Sequence, residues 1–341
     1  MVSFKPVNNC DMNVSFFDKH GIRLIQAPMA GSQNHRLAAA VFLAGGLGSI
    51  PAAMLTAKQL QDELSAFRDA IAAEQATANA KAIQLGVFLP VNVNFFCHTP
   101  PTEQLEKEAA WRQQLTPLYQ AHGIDPQSVG SGLGRAPFSE ESLKLMGQFK
   151  PAVVSFHFGL PKAEWVQQLK SWGIQIWSSA TTVQEAQWLE QKGVDAVIAQ
   201  GLEAGGHRGM FLTEDLSTQV GTMALTPQMV KAVKVPVIAA GGISSAAAVR
   251  AAKALGASAV QVGTAYLFTP EAKVSAAHHQ ALRTARESET AVTNIFTGRP
   301  ARGILNRVMR ELGPMNSQAP RFPLAGGALM PLRAKGEADF S

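Results

Sequence analysis

The chain has 341 residues, 46% of them hydrophobic and 16% charged, a balance that supports a sizeable buried core and excludes a disordered or low-complexity polypeptide. Its 30 Lys and Arg outnumber its 25 Asp and Glu by five and are scattered, so no nucleic-acid-binding surface is signalled. The two cysteines, Cys10 and Cys97, lie far apart with no CxxC or Cys/His spacing, which argues against a disulfide framework or a metal site and points to a reducing compartment. The N-terminus lacks an apolar signal core and no stretch reaches the roughly 18 apolar residues of a membrane span, so a cytoplasmic protein without membrane contact is expected.

Short apolar runs rich in β-branched residues recur along the chain. In order they are Ile22 to Ala27, Gly46 to Ile50, Leu85 to Asn94, Ala152 to His157, Ile174 to Ser179, Ala196 to Gln200, Val237 to Ala240 and Ala259 to Val262. They lack the polar alternation of a one-sided sheet and read as strands buried on both faces. Helical patterns stand between them at Thr56 to Ala80, Pro161 to Trp172, Thr182 to Lys192, Pro227 to Lys234 and Ser244 to Leu255. Ser244 is a plausible N-cap, and Gly173, Gly193 and Gly256 stand where helices should stop. Eight βα units of this kind predict an α/β chain closed into a (β/α)8 TIM barrel.

Two segments exceed a minimal barrel. Residues 97–150 carry a helix pattern from Thr102 to Ala121 and then GSGLGRAP, and the chain after 268 carries patterns at Pro270 to Arg286 and Arg302 to Glu311 before a Pro/Gly-rich tail. Both leave at the rim where the strands end. The domain reading is therefore a barrel of residues 1–96 and 151–268, with a helical lid or small second domain of residues 97–150 and 269–341.

The strongest binding signal is a pair of late loops, AAGGIS at Ala239 to Ser244 and QVGTAYLF at Gln261 to Phe268. Loops after the seventh and eighth strands of a barrel expose backbone N–H groups at a helix start, which favours a phosphate, so Gly241, Gly242, Gly263 and Thr264 are the phosphate candidates. In QGLEAGGHRG, Gly205 and Gly206 allow close approach of a flat ligand, and the amide of Gln200 suits the edge of a flavin-like ring. His207 and Arg208 read equally as phosphate partners or as solvated loop residues, and the basic cluster from Arg299 to Arg310 reads as a solvated helix face that could also raise the local concentration of an anionic substrate. His157 ends its strand at the same rim, where it can accept a proton or, when charged, hold an anion. His98, His278 and His279 have weaker cases. No strand-linked GxGxxG, Walker A loop, HExxH or GxSxG occurs, which removes dedicated dinucleotide binding, the commonest nucleotide hydrolases, zincins and serine hydrolases.

QAPMAG at Gln26 to Gly31, LAAAVFLAGGLGSI at Leu37 to Ile50, NVNFFCHTPP at Asn92 to Pro101, HFGLP at His157 to Pro161, GLEAGGHRG at Gly201 to Gly209, the two late loops and TGRPARGI at Thr297 to Ile304 together resemble the first class of nitronate monooxygenases, once called 2-nitropropane dioxygenases. The resemblance implies non-covalent FMN and oxidation of a small anionic nitronate, such as propionate 3-nitronate, by O2 without an external reductant. Carbonyl products with nitrite or related nitrogen oxides would follow, in a detoxifying role. It implies FMN contacts from Asn94, Gln200, Gly205, Gly242, Gln261, Val262, Gly263 and Thr264, with Met29 beside the isoalloxazine and His157 as the catalytic histidine. NVNF offers Asn92 as well as Asn94 for the matching asparagine. The chain departs from the pattern at Asn34-His35, where many relatives have Thr-Pro, and at SSATTV after the fifth strand. The alternatives are an FMN-dependent NAD(P)H:quinone reductase or enoyl-acyl-carrier-protein reductase of the same superfamily, and a non-redox sugar-phosphate lyase or isomerase. The last lacks the strand-end Lys or acid such chemistry commonly uses. A homodimer is left open.

Overall fold

In the computed structural model, which describes residues 15–76, 88–102, 104–130 and 134–335, the eight apolar runs form one parallel sheet. Its strands are β1 (Leu24–Gln26), β2 (Gly48–Pro51), β3 (Leu89–Phe96), β4 (Pro151–His157), β5 (Gln175–Ala180), β6 (Ala196–Gln200), β7 (Val237–Ala240) and β8 (Ala259–Val262). The hydrogen-bonded order is β1-β8-β7-β6-β5-β4-β3-β2. The two ends meet through a parallel bridge between Ile25 and Leu47, where Gln26 N–H donates to the Leu47 carbonyl and Leu47 N–H to that of Leu24, each at 2.9 Å. The sheet is thus drawn round into the expected TIM barrel.

Register explains why the runs are apolar throughout. Val91, Val93, Phe95, Val153, Val154, Phe156, Ile176, Trp177, Val197, Ile198 and Ile238 join one core with the inward faces of the surrounding helices. Within the barrel, polar side chains satisfy one another: Asn92 donates to Ser49 Oγ at 2.9 Å, and Asn94 to Ser155 Oγ at 3.0 Å. Helices stop where glycine was read as a stop, since Gly173, Gly193 and Gly256 have φ of 80°, 85° and 96°.

Four local readings change. The N-cap of helix Ala246–Ala254 is Ser245, whose side chain accepts from Ala248 N–H, one residue after Ser244. The helix read from Pro227 begins earlier, at Thr222, because the Glu203 carboxylate accepts the otherwise orphaned Thr222 N–H at 2.8 Å. Residues Ala301–Ile304, read as the start of a helix, are a strand paired antiparallel with Thr290–Thr293 and with Gly206–His207. The helix there is confined to Arg307–Leu312, capped by Asn306. The tail read as Pro/Gly-rich forms helix Ala325–Ala334. Residues 77–80 and 85–87 of the expected elements, Cys10, and Ser131 to Leu133 lie outside the described residues.

The segments beyond the barrel build a second apolar core. Helix Leu105–Ala121 brings Trp111, Leu115, Leu118 and Tyr119 against Val308, Met309, Leu329 and Leu332 of the two C-terminal helices. The Trp111 indole N–H and the Tyr119 hydroxyl donate to the carbonyls of Ala325 and Ala328, so two pieces far apart in sequence are tied at buried points. Helix Glu140–Phe149 behaves otherwise. Phe138, Leu145 and Met146 pack into the barrel core, so this part of the 97–150 segment belongs to the barrel's helical layer.

Candidate active site

A cavity of about 890 Å³ opens at the C-terminal ends of the strands, beneath the second core. Met29, Asn94, His157, Gln200, Gly205, Gly206, Gly241, Gly242, Gln261, Val262, Gly263 and Thr264 all line it. The choice within NVNF is geometric. Asn92 and Asn94 share a strand face two residues apart, and Asn94 reaches the cavity while Asn92 lies one layer deeper against Ser49. His278 also lines the cavity; His98 is buried against Phe322, with ring centroids 4.7 Å apart.

His157 is held on both ring nitrogens. Nε2 lies 3.1 Å from the His207 carbonyl and Nδ1 lies 3.0 Å from Ser179 Oγ. A carbonyl only accepts, so Nε2 carries the proton and Nδ1 accepts from the Ser179 hydroxyl. The ring packs against the contacting pair Phe96 and Phe158, whose centroids lie 5.8 and 4.6 Å away. Phe158 follows with φ of 70°, a strained value for an aromatic residue. The Arg299 guanidinium stacks 3.9 Å over the Phe158 ring and donates to the Met210 carbonyl, which over-determines that turn.

The loop after β6 closes on the histidine. Gln200 donates to the His207 carbonyl at 2.9 Å and accepts from Gly209 N–H at 2.7 Å. Its amide therefore shapes the loop as well as facing the cavity. A Cβ on Gly209 would stand 2.8 Å from His157 Cε1 and 3.0 Å from Ser179 Cβ, so only glycine lets the loop press onto the ring. Arg208 is fully buried and bonds Gln219 Oε1 and the Gln200 carbonyl, which makes it an internal brace and not a solvated residue. His207 meets Thr297 Oγ1 at 2.9 Å. Arg299 and Arg302 belong to the cluster read as a solvated helix face or an attractor of an anionic substrate; the helix face is not what forms, since both are turned inward, and Arg302 sits on a strand, lines the cavity and donates to the Leu202 carbonyl and Thr290 Oγ1.

Opposite, the late loops form a backbone cradle. Gly241 and Gly242 have φ of 120° and 66°, and Gly263 leads into the short 3-10 helix Thr264–Phe268. A Cβ on Gly206 would meet nothing within 4 Å, and one on Gly205 only Thr264 Oγ1 at 3.9 Å, so both leave open room over the cavity. Gln261 Oε1 is buried without a hydrogen-bond partner, an acceptor short of a donor.

Burial sets the protonation. It pushes His157 down to about 3; it pushes His98 to about 4, with the Arg299 charge adding to the effect; and it holds His207 well below its ordinary range, with Arg135 nearby. All three are neutral at pH 7. Between the ordinary value of 6.5 and about 4 the unfolded chain binds protons that the native chain refuses, so stability is present above that window and is lost as pH falls through it. Each histidine contributes a slope of up to about 1.4 kcal/mol per pH unit. Thermal unfolding midpoints are therefore expected to fall from pH 7 to pH 5, and less steeply in His98→Gln. A midpoint that is flat over this range would contradict buried neutral histidines.

These features define a TIM-barrel enzyme with its site at the C-terminal rim of the strands. The nitronate monooxygenase family model matches residues 15–337. Among curated relatives, the nitronate monooxygenase of Pseudomonas aeruginosa is 39% identical over 93% of this chain and 88% of its own length, and that of Paraburkholderia phytofirmans 37% identical over 93% and 83%. Among solved structures, a nitroalkane oxidase from Streptomyces ansochromogenes superposes with a TM-score of 0.81 at 35% identity, covering 95% of this chain and 88% of that one. FabK from Thermotoga maritima is more distant, with a TM-score of 0.63 at 27% identity over 87% and 76%. The chain belongs to the nitronate monooxygenase family and is an oxidoreductase. Among the described residues, no helix is long and apolar enough to cross a membrane.

Sequence reasoning named Ser179 only as a strand-end residue and Arg299 only within a basic cluster, and it missed Gly209. The first is one of two adjacent serines, Ser178 and Ser179, at a strand end. The other two act through packing that periodicity does not encode. TGRPARGI was the available signal for Arg299, yet it was noted without a role.

Proposed function

We propose that the chain binds FMN in this cavity and oxidises alkyl nitronates, such as propionate 3-nitronate, with O2 to carbonyl products and nitrite or related nitrogen oxides. The observation that carries this reading is the convergence of His157, the glycine loops and Gln261 on one cavity. The residues fit the cofactor. Gly205, Gly206, Gly241, Gly242 and Gly263 leave room where side chains would intrude, the amides at a helix start suit a phosphate, and Gln261 Oε1 awaits a donor. Met29, Asn94, Gln200, Val262 and Thr264 complete its surroundings. FMN, when bound, supplies the redox chemistry.

The chain's own residues orient the substrate. The guanidiniums of Arg135, Arg302 and Arg333 line the cavity, while the Glu203 carboxylate there is held by Thr222 N–H and Oγ1, so the field favours an anion. A histidine pushed to about 3 is a weak base, ill suited to removing the α-proton of a neutral nitroalkane. A nitronate has already lost that proton. On binding, the anion would take the Nε2–H of the neutral His157 ring from the His207 carbonyl and be positioned by it, while the wall of Phe96 and Phe158 excludes water. Arg135 and the residues of 269–335 that line the cavity, among them His278, Phe296 and Arg333, would shape the substrate side.

The test begins with the purified protein's visible spectrum and FMN released on denaturation, expected at one per chain. The reductase alternative rests on the weaker likeness to FabK. Rapid anaerobic bleaching of the flavin by NADH or NADPH would favour it and overturn this proposal.

A further inference from the structure

None of the three arginines lining the cavity forms an ion pair among the described residues; Arg302 donates to the Leu202 carbonyl and Thr290 Oγ1, which leaves Arg135 and Arg333. Arg135 and Arg333 both line the cavity, one from the segment before Phe138 and one from the last helix, and neither takes part in an ion pair among the described residues. Arg135 Nε is buried without a hydrogen-bond partner. Burial, and then repulsion from Arg333, pulls the Arg135 pKa down, so the half-buried Arg135 charge and the exposed Arg333 charge are close. The Arg333 guanidinium rests over the Phe296 ring at 5.8 Å, which directs it without neutralising it.

Their place in the cavity identifies what they face. Pro137 bridges to Phe96, and Phe138 N–H donates to the Phe96 carbonyl at 2.8 Å, which fixes Arg135 at the end of β3. Phe96 also flanks the His157 ring, so Arg135 stands at the histidine end of the cavity. The glycine cradle is elsewhere: Cβ atoms on Gly241 or Gly242 would meet Thr222, Ala204 and Glu203. The nearby His98 and His207 are neutral, and Glu287, the other acid lining the cavity, pairs with neither arginine. An anion arriving from solution is the group that completes this end.

We infer that Arg135, assisted by Arg333, is a specificity-determining residue that binds a second anionic group, a carboxylate on the tail of the nitronate, while the nitronate head lies at His157. A planar guanidinium with free donors matches a carboxylate in charge and shape. The inference rests on the proposed nitronate chemistry, so its test separates binding from turnover.

Calorimetry on the FMN-loaded protein would compare 3-nitropropanoate with 1-nitropropane, and steady-state assays propionate 3-nitronate with propyl-1-nitronate, in wild type, Arg135→Met and Arg135→Lys. Wild type is expected to bind 3-nitropropanoate at least about tenfold more tightly than 1-nitropropane, and Arg135→Met to lose roughly 10- to 100-fold for the carboxylate probe alone. KM for propionate 3-nitronate should rise with it, kcat should change by less than about threefold, and the lysine variant should recover part of the loss. Equal losses for both probes, or no preference in wild type, would overturn the inference. If no nitronate is oxidised while the binding pattern holds, the carboxylate site stands and the proposed reaction fails.

Discussion

His157→Ala is expected to retain FMN and to lower kcat/KM for propionate 3-nitronate by about 10²-fold or more, through lost positioning of the reacting anion. The cofactor should stay because the glycine cradle belongs to β7, β8 and the β6 loop, whereas the histidine ends β4. The ring is also a spacer. Its removal opens space between Phe96, Phe158 and Gly209 and frees the Ser179 hydroxyl and His207 carbonyl. His157→Gln is the informative companion, since an amide donates and accepts at once. If positioning is the histidine's role, the glutamine variant should recover part of the rate with no new pH dependence between 6 and 8. Full activity in His157→Ala would remove the histidine from the mechanism.

Gly241→Val should empty the site of FMN. The residue sits at φ 120°, where a β-branched side chain is strained, and its Cβ would lie 2.7 Å from Thr222 Oγ1 and 2.8 Å from Ala204 N. Neither neighbour can yield freely. Thr222 Oγ1 donates to Glu203 Oε2, and Ala204 N–H donates to the Gly201 carbonyl at 3.1 Å. The β6 and β7 loops would have to part, at a cost on the order of 2–4 kcal/mol. The expected protein is colourless as purified, with a lower unfolding midpoint and no oxygen uptake. A yellow protein with one FMN per chain would show that the cradle does not hold the cofactor.

How much was readable before the structure follows from which forces are local. The eight strands were legible because a parallel strand buried on both faces must be continuously apolar, and the helix stops at Gly173, Gly193 and Gly256 because a left-handed residue is a local demand. The late loops were legible for the same reason. The rest depends on distant partners. Ala301–Ile304 becomes a strand only because Gly206–His207 and Thr290–Thr293 offer edges, and in isolation its arginine suits a helix equally well. Helix Ala325–Ala334, with two glycines and an internal proline, is held by Trp111 and Tyr119 from some two hundred residues earlier. Arg208 read as a possible solvated residue, since nothing in GGHRG announces that Gln219 and the Gln200 carbonyl will bury it. His157, the proposed catalytic histidine, was placed by its strand, while the groups that set its tautomer came from β5 and the β6 loop.

The measurement that bears most directly on the central claim is oxygen uptake by the purified FMN-loaded protein with propionate 3-nitronate and no NAD(P)H. The account predicts rapid consumption, accompanied by nitrite or related nitrogen oxides and lost in His157→Ala while the flavin spectrum persists. A flavin spectrum with no oxygen uptake would contradict it and point to a nicotinamide-dependent reductase on the same barrel.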